Sequence, residues 1–350
     1  MDSYEKFMDR LALVPIPSPR TKSGVEIEIL KRLMTPEEAE IACLLTPVPE
    51  SAATVAQREN MDAHALGKVL DRLSGNGVIF KVYTEEPLYA LVPMVPGIFE
   101  FQVKRITPED ARLWERYYNE KHGEVVLGAK TSFLRVVPVK ESVPTEMRVY
   151  TYEEVDAVID EAKAITLADC VCRSSKKLVG EGCDAPVRDM CIILDAWAEY
   201  YAENNFGRRA TKEEAKQKVE RARAAGLVCS TINVQHGASA ICACCGCCCF
   251  VLRGMTQLNL PASIAKSSFI AEISPEACTG CGECVDACHV DALKLEGEVA
   301  ELVVDRCIGC GACEAACQFD AIFLKRKDES CAPPADMNEL MQKIAVEHSC

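Results

Sequence analysis

The chain has 350 residues, 49% of them hydrophobic, which is enough apolar side chain to form packed cores in two or three domains. Its formal net charge of −14 makes nucleic acid a poor partner, because binding to the phosphate backbone relies on Lys and Arg. The 22 cysteines, many of them adjacent or one residue apart, suit metal ligation better than disulfide formation, which indicates a reducing compartment.

No segment of the sequence indicates export or a membrane span. The first ten residues mix acidic and basic side chains and do not place an apolar core after a basic start. The longest apolar run, 241–252, is shorter than the roughly 20 residues that cross a bilayer. We therefore expect a soluble, cytoplasmic protein.

Residues 1–104 are predicted to form a winged-helix-like domain. Thr35, Pro36 and Glu38 make a capping box with proline at the first helical position, which predicts a helix running to about Leu45. Two more helices and two paired strands are predicted at 54–60, 62–73, 78–83 and 88–92. This order resembles a winged helix, a fold that often binds DNA through its third helix. Because that helix has a neutral charge balance here, a protein-docking surface or a homodimer contact is favoured over DNA binding.

Residues 105–150 are predicted to be a helix followed by an extended linker. Thr107 starts the helix, which should reach about His122 and bury its aromatic side chains. The chain then becomes extended, and Pro138 and Pro144 indicate an edge strand or a linker.

Residues 151–271 are predicted to form a mainly helical, cysteine-rich, metal-binding domain. Two further capping boxes begin at Thr151 and Thr211, and the first is expected to start a helix that reaches Ala168. The other predicted elements are an apolar helix, a charged helix and a strand, at 190–201, 211–225 and 227–232.

Ten cysteines of this region are candidate metal ligands: Cys170, Cys172, Cys183, Cys191, Cys242, Cys244, Cys245, Cys247, Cys248 and Cys249. The first four are expected to converge on a third [4Fe–4S] cluster, with Cys191 at a helix start whose dipole stabilises negative charge. Zinc and buried free thiols are the alternatives. Arg173, next to these cysteines, either offsets thiolate charge or is exposed.

Residues 242–249 contain six cysteines in eight positions. Neighbouring side chains of a strand face opposite ways, so one cluster cannot easily use all six thiols. Some are expected to complete or flank the cluster that begins at Cys170, and others to hold a separate, unusual iron–sulfur cluster. The alternative is a conventional cluster with spare thiols.

One cysteine motif occurs twice near the C-terminus. Cys278-Thr-Gly-Cys281-Gly-Glu-Cys284-Val-Asp-Ala-Cys288 recurs as Cys307-Ile-Gly-Cys310-Gly-Ala-Cys313-Glu-Ala-Ala-Cys317. Three cysteines spaced by two residues, with glycine between them, let a short loop reach three iron corners of a cubane. The alternative is a pair of zinc sites, which usually use two separated Cys-x-x-Cys pairs.

Over residues 272–327 this repeat resembles the bacterial ferredoxin domain, which binds two [4Fe–4S] clusters. In that family the last cysteine of each run binds the cluster of the other run, so the resemblance implies two crossed ligand sets. The first ferredoxin set is Cys278, Cys281, Cys284 and Cys317. The second ferredoxin set is Cys307, Cys310, Cys313 and Cys288.

His289 and Gln318 stand where the ferredoxin family usually has proline. They are interpreted either as surface helix residues or as hydrogen-bond donors that tune a cluster's potential. The tail, 328–350, is expected to hold a helix that docks a partner or caps the domain.

The whole arrangement resembles a group of anaerobic iron–sulfur electron-transfer proteins. The shared features are the winged-helix-like region, the Cys-x-Cys-Arg segment at 170–173, the Cys-Cys-x-Cys-Cys-Cys tract and the ferredoxin tail. Residues 244–246 are also similar to the Cys-Cys-Gly motif of heterodisulfide reductases, whose paired motifs bind a noncubane catalytic cluster, although only one such tripeptide occurs here. The expected fold is therefore α+β multidomain, with a ferredoxin-like C-terminal domain.

The predicted function is that of a multicluster electron carrier. The chain has no Gly-rich dinucleotide fingerprint and no phosphate loop, so electrons are expected to come from a partner protein: a flavoenzyme, a hydrogenase or another reductase. One alternative is a reductase with an unusual catalytic cluster at 242–249. A second is a redox-sensing winged-helix regulator.

Overall fold

The computed structural model describes residues 2–138, 153–328 and 332–348, and it combines helices with sheets as expected for an α+β protein. The helices are α1 (Ser3–Leu11), α2 (Val25–Leu33), α3 (Pro36–Ala42), α4 (Ala52–Glu59), α5 (Ala63–Gly75), α6 (Phe99–Phe101), α7 (Pro108–Tyr117), α8 (Gly123–Leu127), α9 (Val155–Glu161), α10 (Val171–Leu178), α11 (Asp195–Glu203), α12 (Lys212–Ala224), α13 (Leu252–Thr256), α14 (Glu283–Asp286), α15 (Ala312–Ala316) and α16 (Met337–His348). The strands are β1 (Glu50–Ser51), β2 (Phe80–Val82), β3 (Leu88–Ala90), β4 (Leu134–Val136), β5 (Ile165–Ala168), β6 (Cys191–Leu194), β7 (Arg208–Arg209), β8 (Val228–Ile232), β9 (Ala240–Cys244), β10 (Phe269–Ile273), β11 (Leu293–Glu296), β12 (Val299–Leu302) and β13 (Ile322–Arg326).

The three helices and two paired strands predicted near the N-terminus are present as α3, α4, α5, β2 and β3, and they are preceded by α1 and α2, which were not predicted from the sequence. The capping box is present at the start of α3, where the Thr35 hydroxyl accepts a hydrogen bond from the Glu38 N–H and the Glu38 carboxylate accepts one from the Thr35 N–H. Strands β2 and β3 pair antiparallel, and β1 joins them in the order β1-β3-β2. Assignment of this region to the winged-helix class stays a prediction.

The N-terminal region shares its hydrophobic core with the middle of the chain. The Phe80 ring stacks on Trp197 of α11 at 4.5 Å between ring centroids. The fully buried Tyr200 donates its hydroxyl proton between two carbonyl oxygens, those of Ser74 at 2.9 Å and Ile79 at 2.8 Å. These contacts fix the cysteine-rich sheet against the N-terminal helices.

The middle region contains a six-stranded antiparallel sheet in the order β4-β8-β9-β6-β5-β7. The prediction of a mainly helical region missed this sheet, although helices α9 to α12 surround it. The helix predicted to continue to Ala168 ends at Glu161, and β5 follows it. Strand β4 lies at the edge of the sheet, close to Pro138, as that proline indicated, and Pro144 lies outside the described residues.

The apolar segment 190–201 is divided between a strand and a helix. Residues Cys191–Leu194 form β6, and only from Asp195 does the chain turn into α11. The prediction that Cys191 lies at a helix start is therefore wrong, because Cys191 is the first residue of a strand. The capping box at Thr211 does start α12, as predicted. The box at Thr151 begins outside the described residues.

The C-terminal repeat folds into two short two-stranded sheets, with one short helix inside each run of cysteines. Strand β10 pairs with β13 and β11 pairs with β12, all antiparallel. Helices α14 and α15 pack against each other. In the part of the chain that the structure describes, no helix has the length and apolar character needed to cross a bilayer.

His122 is expected to make the fold less stable in mild acid. Burial lowers the pKa of this imidazole from 6.5 to about 3, and its ring stacks on Tyr117 at 4.3 Å. The unfolded chain therefore binds more protons than the folded one between these two pH values, so stability falls as pH drops below 6.5, by up to about 1.4 kcal/mol per pH unit.

Replacing His122 with phenylalanine should remove this part of the acid sensitivity. Anaerobic urea unfolding at pH 7.5 and pH 5.5 measures the effect as the difference between the two midpoints. The exposed His64 provides the control, because His64→Gln should keep the wild-type difference. An equal loss of stability in wild type and His122→Phe would contradict the prediction.

Candidate metal centres

The first ferredoxin set is brought together around the buried Cys284. Burial raises the pKa of the Cys284 thiol, and the neighbouring thiols of Cys278, Cys281 and Cys317 raise it further. The backbone N–H of Ala300 points to the Cys278 sulfur at 3.5 Å. Cys281 is exposed, so this set lies at the protein surface.

The second ferredoxin set lies deeper. Burial raises the pKa of Cys310 to about 12, and the thiols of Cys288 and Cys307 contribute to the shift. The pKa of Cys313 is also raised, first by burial and then by the neighbouring thiols of Cys310 and Cys307. The backbone N–H of Ala292 donates to the Cys288 sulfur at 3.2 Å.

The donor chemistry of the two ferredoxin sets fits two [4Fe–4S] clusters. Each set offers four thiols, and in each a backbone N–H donates to a sulfur atom, as is common around such clusters. The last cysteine of each run lies among the thiols of the other run, which is the crossed arrangement predicted from the sequence. The assignment of these eight thiols as ligands stays a prediction.

Four cysteines of the middle region form a tighter group, which we call the four-thiol set. Its members are Cys183, Cys245, Cys247 and Cys248, and their sulfur atoms all lie within 4.8 Å of one another. The Cys183 sulfur is 3.7 Å from both the Cys245 and the Cys248 sulfur, and the Cys247 and Cys248 sulfurs are 3.6 Å apart.

Six further cysteines, which we call the cavity set, line a cavity of about 440 Å³. They are Cys170, Cys172, Cys191, Cys242, Cys244 and Cys249. The cavity is far larger than the roughly 10–15 Å³ that one water molecule needs, so these thiols border enough space for a polynuclear group.

The cavity set consists of two groups of three thiols. Hydrogen bonds from Cys172 and Cys191 lower the pKa of Cys170 well below its usual range. Cys244 has its pKa lowered in the same way by the thiols of Cys242 and Cys249. The two groups meet where Cys191 and Cys242 are opposite each other on β6 and β9.

The predicted grouping of Cys183 with Cys170, Cys172 and Cys191 is not what the structure shows. Cys183 lies in the loop after α10, and that loop carries it to the turn that follows β9. The loop passes close to the helix at Gly182, where an added Cβ would lie 2.3 Å from the Cγ atom of Lys177. The ten cysteines therefore divide into four and six.

Arg173 is buried between the four-thiol set and the cavity set. Burial alone would lower the pKa of its guanidinium, but the thiols of Cys170 and Cys245 are the first of several that outweigh this effect and raise it. One Nη atom donates to the Ala243 carbonyl at 2.6 Å. Among the described residues, Nε and the other Nη have no hydrogen-bond partner. Of the two predicted roles for Arg173, offsetting thiolate charge is therefore the one that the structure supports.

The C-terminal repeat contacts the cysteine tract directly at His289. The Gly246 N–H donates to His289 Nδ1 at 3.4 Å, and His289 Nε2 therefore carries the proton that is donated to the Gly226 carbonyl at 2.7 Å. An added Cβ on Gly246 would lie 2.0 Å from the His289 carbonyl oxygen, so only glycine permits this approach. Arg306 supports the junction by donating to the carbonyls of Val290 and Met255.

His289 thus belongs to the contact between two parts of the protein, and the interpretation of it as a surface helix residue is wrong. Gln318 does lie at the surface, in a turn after α15 and not on a helix, and its amide contacts the Glu283 carboxylate at 3.2 Å. Sequence reasoning missed the role of Gly246, and its only signal was a glycine inside a run of cysteines.

A family model described as a 4Fe-4S dicluster domain matches residues 270–318. No curated protein and no solved structure matches the chain. The match indicates 4Fe–4S binding near the C-terminus and an iron–sulfur redox or electron-transfer function, and the four-thiol set adds a group of ligands able to hold a metal ion.

Proposed function

We propose that this protein transfers single electrons between a partner redox protein and metal centres in its cysteine-rich middle region. The observation that carries the proposal is the contact between His289 and Gly246. His289 directly follows Cys288 of the second ferredoxin set, and Gly246 lies between Cys245 and Cys247 of the four-thiol set. A predicted cluster ligand and two predicted metal ligands are therefore separated by one hydrogen-bonded contact.

The exposure of the thiols suggests the order in which electrons would pass through the two ferredoxin sets. Cys281 of the first ferredoxin set is exposed, whereas Cys307 and Cys313 of the second set are buried. Electrons exchanged with a partner would pass first through the exposed set, then through the buried set, and then through the junction at His289. The clusters, when bound, supply the one-electron redox chemistry. This chain's residues hold the sulfur ligands, shield the second set and fix the distance to the middle region.

The partner is expected to be a redox protein with a basic docking surface. The net charge of −14 favours encounter with a cationic patch, because complementary charge steers association between proteins. A flavoenzyme, a hydrogenase or another reductase would supply or remove the electrons. The winged-helix-like N-terminal region would serve as a docking or homodimer surface.

Substitution of Gly246 by alanine tests the proposal. The added methyl group must push the His289 carbonyl away, so electrons should reach the middle region more slowly while both ferredoxin clusters remain. Anaerobic mixing with a reduced flavoprotein, followed by freeze-quench paramagnetic resonance, separates the reduction of the C-terminal clusters from that of the middle centre.

Gly67→Ala is the matched control for this experiment. Gly67 lies within α5, and an added Cβ would meet only the Cβ of Ala52, at an ordinary distance of 3.7 Å. This variant should transfer electrons at the wild-type rate. The proposal fails if Gly246→Ala, with its clusters intact, reduces the middle centre as fast as wild type does.

The cavity favours a second candidate function, that of a reductase. Its walls combine the six thiols of the cavity set with apolar side chains such as Trp197 and Phe250. Burial raises the pKa of Glu100, on the same wall, to about 7, so this carboxyl is suited to supply a proton during a reduction at neutral pH. A paramagnetic signal that changes when cyanide is added would support an open iron position, and fully cysteine-ligated cubanes alone would exclude it.

A further inference from the structure

We propose that the four-thiol set binds a single metal ion in a tetrahedral site, and that it is not part of a cubane cluster. The contacts among Cys183, Cys245, Cys247 and Cys248 carry the proposal. Their three closest sulfur–sulfur distances are 3.6, 3.7 and 3.7 Å. All four sulfur atoms lie within 4.8 Å of one another.

These distances match those around a single ion. Four sulfur atoms bound tetrahedrally at about 2.3 Å are separated from one another by about 3.8 Å. In a cubane each thiolate binds a different iron atom, so the sulfur atoms surround a larger group and are farther apart. Within the described chain, the two ferredoxin sets and the cavity set do not reach the compactness of the four-thiol set.

The surroundings of the four-thiol set suit a bound thiolate centre. The backbone N–H of Cys248 lies near the Cys245 sulfur, and that of Cys183 lies near the Cys248 sulfur. The Arg173 guanidinium supplies positive charge near Cys245. Cys245 and Cys248 are buried and Cys183 is half-buried, but Cys247 is exposed and gives an ion a path from solvent.

The chemistry of four thiolates favours two ions. Tetrahedral sulfur sites bind either zinc or a single iron, because both accept soft thiolate ligands in this geometry. Either ion leaves the six thiols of the cavity set for any larger cluster in the middle region. This inference does not depend on the proposed electron transfer, because zinc has no redox chemistry and electrons that cross the junction at His289 would then pass to a cluster in the cavity set.

The test is the ratio of metal to inorganic sulfide lost when Cys183 is replaced by serine. Anaerobically purified Cys183→Ser should lose about one metal ion per chain and no inorganic sulfide. A cubane site would instead lose about four irons together with about four sulfides. Elemental analysis and sulfide assay of the full-length protein measure both quantities, and Cys43→Ser, which changes a cysteine of the N-terminal region, is the control.

A second variant keeps the test decisive if Cys183→Ser does not fold. Cys247 is exposed and its replacement by histidine preserves a tetrahedral ligand set, so Cys247→His should retain the ion while Cys247→Ser loses it. X-ray absorption at the zinc edge should show four sulfur neighbours at about 2.3 Å, and a single high-spin iron signal in Mössbauer spectra is the corresponding result for iron. Loss of sulfide with the metal, or no loss of metal in either serine variant, would overturn the inference.

Discussion

Replacing Cys313 with alanine is expected to abolish electron delivery to the middle region. Cys313 is a buried member of the second ferredoxin set, which lies next to the junction at His289. Loss of one thiolate should remove the cluster bound by that set and lower the iron content by about four atoms per chain. Iron and sulfide assays measure the loss, and freeze-quench paramagnetic resonance measures the delivery.

Cys317→Ala is the matched control for which cluster is lost, because Cys317 lies in the same run of cysteines but belongs to the first ferredoxin set, through which electrons enter. It should also cost about four irons, yet the second set keeps its cluster and its contact with the middle region. Conversely, Cys288→Ala should behave like Cys313→Ala although Cys288 lies in the first run. If Cys317→Ala and Cys313→Ala lose the same cluster, the crossed assignment is wrong.

Replacing Arg173 with methionine is expected to destabilise the protein by about 3–5 kcal/mol, which is the usual cost of leaving buried charges without their partner. The guanidinium is 1% exposed and offsets thiolate charge from both the four-thiol set and the cavity set. Methionine has a similar length but no charge, so the thiolates would repel one another. The midpoint of anaerobic urea unfolding and the metal content should both fall.

Two other variants separate charge from packing at this position. Arg173→Lys retains the positive charge but loses the geometry of the hydrogen bond to Ala243, so it should destabilise less than methionine does. Arg112 is exposed, and Arg112→Met should change stability by no more than about 0.5 kcal/mol. An Arg173→Met protein with the wild-type midpoint and metal content would contradict the role given to Arg173.

Local signals in the sequence predicted the elements whose hydrogen bonds are local. The starts of α3 and α12 follow from capping boxes, in which residues three apart satisfy each other's backbone, and the start of α7 follows from Thr107. The C-terminal cysteine loops could also be predicted, because their ligands are only three residues apart. The dicluster match at residues 270–318 agrees with the prediction of iron–sulfur binding there.

The division of the other ten cysteines could not be predicted, because it depends on contacts between distant residues. Cys183 meets Cys245 across 62 positions of sequence, and Cys191 meets Cys242 only because β6 pairs with β9. The apolar run at 190–201 has no periodicity that separates a buried strand from a helix, so β6 was missed. Without that strand, the placement of Cys191 was wrong as well.

The stacking of Phe80 on Trp197 and the hydrogen bonds of Tyr200 have a consequence for how the protein is made. Synthesis proceeds from the N-terminus, so the surface formed by Ser74, Ile79 and Phe80 leaves the ribosome before its packing partners are made. Those partners, the rings of Trp197 and Tyr200, lie more than a hundred residues later in the chain. Deleting the first hundred residues would expose the faces of Trp197 and Tyr200 that this surface covers, and the shortened polypeptide would aggregate more readily before it acquired any metal.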